Sequence, residues 1–405
     1  MSRILLIELR RSTVLWAALT MLASGTAMLY SARQRWTSGW MILALDQRWY
    51  LPFLAGIALA AGAAQGRRER RSRVEELFAG MPRPRFQQVV PVLIAYGISM
   101  VLAYAGATAL AALWILGTAH YLPVGAFLGV VAVGAVAVLA GSWFGLAAGR
   151  LLPYVVTAPA LAILSLASPL AVPGREGWVS ALLFPAHGLG SGTDFDTIQA
   201  RFSIGQLLYL TGLAAGAALL FARTRWPALL PPLLGTALAA LVLQGGAAFV
   251  RDPIDPVARS LVCTPDAPTV CVARVHSGVL DEVAPPARAA LATLSRLPGA
   301  PTRAVEAGLV PRSADTLLIP LAIDDNGHAL GTGRLAENLG VLPFPCPADS
   351  PGPDTTVVDA ASAWLLGTPD ASAQAHELSK LSDQEAAARV AAVRRAVLTC
   401  SRATY

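Results

Sequence analysis

The sequence predicts a two-part protein: an all-α polytopic membrane bundle of about seven spans over residues 1–250, then a small α+β extracytoplasmic domain over residues 251–405. Three observations predict it. Long apolar runs recur through the first part, arginines cluster between those runs, and all four cysteines lie in the second part. Apolar residues make up 55% of the chain, which is typical of a membrane protein.

Seven apolar segments are long enough to cross the hydrocarbon core of a bilayer, which is roughly 30 Å thick and takes about 20 helical residues. The second is the shortest, and its helix is expected to begin a few residues earlier, near Trp40. The first is too long for the apolar core of a signal peptide, so we expect it to remain as a span. The predicted spans cover residues 13–31, 50–65, 89–116, 124–149, 151–172, 205–222 and 227–250.

Charge divides the chain and predicts its orientation. Residues 1–249 carry 18 arginines and 8 acidic residues, a net charge of +10, whereas residues 250–405 carry 13 basic and 17 acidic residues, a net charge of −4. The overall charge of +6 is therefore an average that does not indicate a nucleic-acid partner. With the N-terminus inside, thirteen of the 18 arginines lie on the inner side, as the positive-inside rule requires.

An odd number of spans exports the tail, and the cysteines favour the same side. An even number of cysteines confined to one non-cytoplasmic domain indicates two disulfides rather than a metal site, and their spacing is not that of a zinc site. Of the three pairings, Cys263–Cys271 is preferred because a Pro-Asp turn in "CTPDAPTVC" would bring two short strands together, leaving Cys346–Cys400. We expect a multi-pass protein of the plasma membrane.

The tail has the patterns of a folded domain. "TVCVARV" (269–275) and "TLLIPLAI" (316–323) are typical of strands, and "PPARAALATLSRL" (285–297) is typical of a helix that starts with proline. A second helix is predicted over residues 382–400, where Ser382 and Glu385 form a capping box.

No catalytic constellation is evident, and we expect no enzyme, metal or bound cofactor in this chain. The single lysine, Lys380, lies in "LSKLS", so a P-loop is excluded, and H-E-x-x-H is absent. By the predicted boundaries, no span holds an ionisable residue at mid-depth, although such residues usually mark ion-coupled transport. Glycines at 125 and 129, at 141, 145 and 149, and at 212 and 216 are spaced for close helix approach, either in ordinary bundle packing or at a dimer seam or gate.

Residues 66–86, "GRRERRSRVEELFAGMPRPRF", follow seventeen uncharged residues and hold the densest charge of the chain. One interpretation is a membrane-surface anchor. It does not account for the short amphipathic helix in the middle, which would suit docking into a groove of a soluble partner. The candidate docking residues are Val74, Glu75, Glu76, Leu77 and Phe78, and the candidate anchor residues are Arg67, Arg68, Arg70, Arg71, Arg73, Arg83 and Arg85.

With "LLIELRRSTVLWAALTMLA" at the N-terminus, this stretch resembles the permease subunits of type-2 ATP-binding-cassette transporters from high-GC actinobacteria, over residues 1 to about 250. The resemblance implies that residues 74–78 form a coupling helix for a separate cytoplasmic ATPase, which would bind the ATP and Mg. It also implies a homodimer or a heterodimer with another permease, and export as the default direction. The family commonly has six spans with both termini inside, so the seventh span and the exported tail depart from it.

Two functions remain open on the sequence alone. The first is a membrane-spanning subunit of an ATP-driven transporter. The alternative is a polytopic membrane anchor or sensor whose outer domain binds a ligand or an envelope partner.

Overall fold

The computed structural model describes residues 13–71, 85–171, 179, 182, 193–222, 224, 226–244, 254–332, 335–340 and 354–401. The chain divides into two compact units. The first comprises residues 1–116 and 122–255, and the second comprises residues 117–121 and 256–405.

The described part of the first unit is helical. Its helices are α1 Val14–Ser31, α2 Trp40–Trp49, α3 Leu51–Arg71, α4 Arg85–Ile115, α5 Val124–Leu151, α6 Thr157–Ala167, α7 Ala200–Phe221 and α8 Leu230–Gln244. Four apolar segments among the described residues are long enough to cross a membrane: Val14–Ser31, Val89–Ile115, Val124–Leu151 and Ala200–Phe221. They match four of the seven predicted spans.

The other three predicted spans are helical but differ from the prediction. The segment near residue 50 forms two helices, α2 and α3, so helical structure does begin at Trp40, but it is interrupted at Tyr50. The described part of the fifth contains the 11 residues of α6 and a 3-10 turn, Ser168–Ala171, because prolines at 153 and 169 flank α6. The described part of the seventh, residues 227–244, contains the 3-10 turn Pro227–Leu229 and the 15 residues of α8.

Helices α3 and α5 run in the same direction in close contact. A Cβ on Gly62 would lie 2.2 Å from the Ser142 carbonyl oxygen, and one on Gly66 would lie 2.2 Å from that of Leu146. Since residue numbers rise together along both helices, the pair is parallel, and glycine is required where backbone meets backbone.

The remaining helix directions follow from similar contacts. Helices α5 and α7 are parallel, because Gly129 faces Ser203 near their starts while Arg150 bonds to Phe221 near their ends. Helix α1 is parallel to α4, with Thr13 beside Tyr96 and Tyr30 beside Trp114. Three further pairs are antiparallel, because residue numbers rise along one helix and fall along the other. Helix α1 pairs with α3 through Thr13 to Gln65 and Gly25 to Leu54, and α3 pairs with α6 through Pro52 to Ser165 and Gly56 to Ala162. Helix α7 pairs with α8 through Gly205 to Leu243 and Gly216 to Ala228. Helices α1, α4, α6 and α8 therefore run one way, and α3, α5 and α7 run the other.

The second unit is a small α/β fold. A four-stranded sheet in the order β1-β2-β3-β4 contains β1 Leu261–Cys263, β2 Val270–Ala273, β3 Arg303–Glu306 and β4 Thr316–Ile319, and a two-stranded hairpin contains β5 Ala322–Ile323 and β6 Ala329–Leu330. Strand β1 is antiparallel to β2, while β2, β3 and β4 are mutually parallel. The helices are α9 Leu280–Leu294, α10 Thr355–Leu365, α11 Ala373–Ser379 and α12 Asp383–Leu398.

One hydrophobic core holds this unit together. Val270 and Val272 of β2 pack with Leu291 of α9, Trp364 of α10 and Val390 of α12. The predicted strand at 269–275 is present as β2 but ends at Ala273, and the one at 316–323 is divided into β4 and β5, which belong to different sheets. The predicted capping box is present, with Ser382 accepting from the Glu385 N–H. Helix α9 begins five residues earlier than predicted, because a 3-10 turn, Arg274–Val279, leads directly into it, so Pro285 and Pro286 lie inside the helix.

Candidate functional site: a buried polar cluster in the helical unit

The short helix α2 carries its polar end into the interior of the first unit. Met41, Ala44, Leu45 and Arg48 recur at helical spacing, and all four are buried. Arg48 has no exposed surface at all, and neighbouring Gln47 is 1% exposed. The face of α2 that packs inward therefore ends in a guanidinium group, which is costly to bury unless it is hydrogen-bonded.

The polar end of α2 is hydrogen-bonded to two long helices. The Gln47 side-chain amide donates to the Tyr104 carbonyl oxygen of α4 at 2.9 Å, and the Thr108 hydroxyl donates to the Gln47 amide oxygen. The Arg48 guanidinium donates to the Gln206 amide oxygen of α7. Thr108 is 5% exposed and Gln206 is fully buried, so these bonds join three helices in a site shielded from solvent. We call Gln47, Arg48, Tyr104, Thr108 and Gln206 the polar cluster.

A glycine of α5 makes room for the aromatic member of the cluster. A Cβ on Gly134 would lie 2.0 Å from the Tyr104 hydroxyl oxygen, so a larger residue there would require the Tyr104 ring to move. The Tyr104 hydroxyl is buried and makes no hydrogen bond with any residue that the structure describes. The cluster therefore contains a polar group whose hydrogen-bonding capacity is unused in this conformation.

Polar contacts also hold the end of α2 at its other side. Arg35 forms an ion pair with Asp46 at 3.0 Å and donates a hydrogen bond to the Tyr50 hydroxyl. Ser38, just before α2, donates to Asp194. Helix α2 is thus joined to its surroundings both by apolar packing of Met41, Ala44 and Leu45 against α5 and by polar side chains at its two ends.

The cluster has the chemistry of binding and positioning. It offers one cation, two amides and two hydroxyls, which are groups that recognise anionic or carbonyl oxygens. Among the described residues, no group of three or more His, Cys, Asp or Glu is arranged to hold a metal ion.

The prediction for Arg48 was wrong. By the predicted boundaries, Arg48 lies just before the second span and the spans are free of ionisable residues at mid-depth, but the structure places Arg48 in α2 and buries it completely. The spacing of Met41, Ala44, Leu45 and Arg48 is the signal that could have found it, because it places Arg48 on the apolar face of a helix.

The predicted docking residues Val74, Glu75, Glu76, Leu77 and Phe78 lie outside the described residues, as do Arg73 and Arg83. Arg67, Arg68, Arg70 and Arg71 occupy the last turns of α3, and Arg85 begins α4. The predicted docking residues therefore lie in the sequence between the end of α3 and the start of α4.

The glycine motifs are used for packing within the first unit. Gly145 and Gly149 face the backbone of α3, where a Cβ would lie 2.2 and 2.0 Å from carbonyl oxygens, and Gly212 and Gly216 face α8. Of the interpretations left open by the sequence, bundle packing accounts for these four. Gly125 has no neighbour within 4 Å of a built Cβ.

The Cys263–Cys271 disulfide is present and joins residues that are directly opposite each other on β1 and β2. Cys346 lies outside the described residues, so the Cys346–Cys400 pairing stays a prediction. None of the described cysteines is free.

A buried pair of hydrogen-bonded side chains, His276 and Glu306, lies at the carboxyl end of β3 in the second unit. The Glu306 carboxylate accepts from His276 Nδ1 at 2.8 Å and from the Ala273 N–H at 2.7 Å, and both side chains are about 95% buried. The Glu306 carboxylate thus joins the ends of the parallel strands β2 and β3.

An exposed pair, Glu282 and His328, lies 2.8 Å apart. The hydrogen bond and charge of Glu282 raise the pKa of His328 above its usual value.

Comparison with known proteins gives no relative: no family model, curated protein or solved structure matches the chain.

Proposed function

We propose that the first unit crosses the plasma membrane seven times, with the arginine-rich end of α3 and α5 in the cytoplasm and residues 256–405 outside. The alternation of helix directions supports this topology, because α1, α4, α6 and α8 oppose α3, α5 and α7, as successive crossings must. Residues Asp196 and Ile254 form a bridge at the end of the α7–α8 hairpin opposite Arg150. The first unit therefore ends, at Asp255, on the side of this hairpin away from Arg150.

We propose further that the chain is the membrane-spanning subunit of an ATP-driven transporter, moved by a separate cytoplasmic ATPase and working as a homodimer or heterodimer. The polar cluster is the single observation that carries this function. A buried arginine and two buried glutamines inside an apolar helical unit are costly, and such groups in membranes generally belong to a pathway or a moving part. The cluster joins α2, α4 and α7, so a shift of α4 would break its hydrogen bonds.

The resemblance of residues 66–86 to the permease subunits of type-2 transporters indicates what would move the helices. The predicted docking helix lies between α3 and α4, and α4 carries Tyr104 and Thr108 of the cluster. A push on this segment by a partner ATPase would reach the cluster along one continuous helix. Export is the proposed direction.

The anchor or sensor function remains the second candidate, and one observation favours it. The second unit has a complete hydrophobic core of its own, built from β2–β4, α9, α10 and α12. A domain of this kind can bind a ligand or an envelope partner without any transport by the helices.

A pull-down from native membranes separates the two candidates. The tagged chain should retain a nucleotide-hydrolysing partner, and Leu77→Ala with Phe78→Ala should release it, since buried anchors at an interface typically contribute more than about 2 kcal/mol. Replacing Arg67 and Arg68 with Gln is the control, because it should weaken anchoring without direct effect on docking. Full ATPase retention by the Leu77/Phe78 variant, at equal membrane levels, would favour the anchor or sensor.

A further inference from the structure

We propose that the end of the helical unit where α3 and α5 finish contains a phosphate-binding site, with Arg67 as its recognition residue and Arg150 as a second cation. The phosphate is that of an anionic phospholipid head group. The lipid source rests on the proposed membrane topology; the recognition of phosphate does not rest on transport.

Close helix contact places the backbone of Arg150 beside the part of α3 that carries Arg67. A Cβ on Gly66 would lie 3.0 Å from the Arg150 backbone nitrogen, so the residue after Gly66 is a near neighbour of Arg150. Glycine at position 66 thus brings together the backbones of two helix ends that each carry an arginine. Like charges brought together in this way repel each other, and an anion between or beside them removes that repulsion.

Arg150 is held in a fixed position. Its Nη1 donates to the Phe221 carbonyl oxygen at the end of α7 at 2.9 Å, and its guanidinium carbon lies 5.1 Å from the centre of the Phe221 ring. The carbonyl at a helix C-terminus is a favourable partner for a cation. Part of this guanidinium therefore serves to cap α7.

Arg67 has a different environment. Its Nη1 is buried, yet this atom makes no hydrogen bond with any residue that the structure describes. A buried cationic donor without an acceptor is destabilising, so an acceptor supplied by a ligand would stabilise the site. Phosphate suits it, because the planar guanidinium can offer two parallel N–H groups to two phosphate oxygens.

The position of the site selects the source of the phosphate. Arg67 lies sixteen residues after Leu51, the start of α3, which is about 24 Å along a helix at 1.5 Å per residue. This is close to the thickness of a hydrocarbon core, so the end of α3 would reach the level of the lipid head groups. Anionic lipids attract basic side chains at that level.

Titration of the purified full-length chain in detergent tests the site. The unfolding temperature is followed against short-chain phosphatidylglycerol, a short-chain glycolipid without phosphate, and inorganic phosphate. We expect saturable stabilisation by phosphatidylglycerol and none by the glycolipid. Arg67→Gln should weaken the apparent affinity on the order of tenfold, the loss of one charge-assisted hydrogen bond.

Two variants make the result specific. Arg68→Gln removes the same charge from the exposed neighbouring residue and should bind within about twofold of the unmodified chain, and Arg67→Lys should be intermediate because it keeps the charge without the planar donors. Equal stabilisation by inorganic phosphate would identify free phosphate as a sufficient ligand for the same site. Unchanged affinity in Arg67→Gln, or equal loss in Arg68→Gln, would overturn the proposal.

Discussion

Replacing Gly145 with alanine should separate α3 from α5. The added Cβ would lie 2.2 Å from the Leu59 carbonyl oxygen and 3.1 Å from the Ala63 backbone nitrogen. The first distance is 1.2 Å short of the 3.4 Å at which ordinary contact begins. Because both obstructing atoms belong to the backbone, no side chain can rotate away, and the helices themselves must move.

Gly141 provides a matched control one turn earlier on the same helix. A Cβ there would lie 3.5 Å from the Ala55 carbonyl oxygen, which is an ordinary contact. Both substitutions gain the same helix propensity of alanine over glycine, so their difference isolates the overpacking, which typically costs about 1–3 kcal/mol. With a clash this short, we expect the upper part of that range.

Thermal unfolding of the two variants in the same detergent measures the difference. For a unit of about 150–250 residues, 1 kcal/mol corresponds to roughly 2–4 °C, so Gly145→Ala should unfold about 4–12 °C below Gly141→Ala. Equal unfolding temperatures would show that α3 and α5 are not in backbone contact, and the parallel arrangement of these helices would then lose its main support.

Three further predictions concern single hydrogen-bonded groups. Thr108→Val should lower stability by about 1–3 kcal/mol, because the Gln47 amide oxygen loses its buried donor; unfolding of the detergent-solubilised protein measures this, and a neutral effect would argue against the polar cluster. Glu306→Ala removes the acceptor of two buried hydrogen bonds and should destabilise the second unit by about 3–5 kcal/mol, visible as earlier proteolysis of the tail; unchanged protection would show that the pair contributes nothing. Histidine NMR should give His328 a pKa above 6.5, and Glu282→Gln should lower that pKa. The stabilising contribution of the protonated histidine is complete below pH 6.5 and is lost as the pH rises through the raised pKa. A His328 pKa unchanged by Glu282→Gln would contradict the pairing.

Local patterns in the sequence were enough to predict several elements. The span over residues 124–149 is present as α5, because an apolar run of this length has no other stable structure in lipid. The Cys263–Cys271 disulfide followed from a turn within nine residues, and the start of α12 followed from the capping box at Ser382. Each of these depends on neighbours in the chain.

The features that the sequence did not predict depend on distant contacts. Arg48 was missed because its hydrogen-bond partner, Gln206, is 158 residues away. The role of the glycines in α5 was left open because spacing alone does not say whether the facing helix belongs to the same chain. Pairing between Glu306 and His276 likewise requires two strands to lie side by side. The predicted docking helix at residues 74–78 remains a prediction.

The side on which the tail lies is the most direct test of the proposed topology, and the single lysine allows a clean measurement. Lys380 is exposed in the second unit, and a membrane-impermeant amine reagent on intact cells should label it. The variant Lys380→Arg with Arg225→Lys moves that lysine to the sequence between α7 and α8, where labelling should require permeabilised cells. Labelling of Lys380 only after permeabilisation would contradict the seven-crossing topology and the extracytoplasmic tail together.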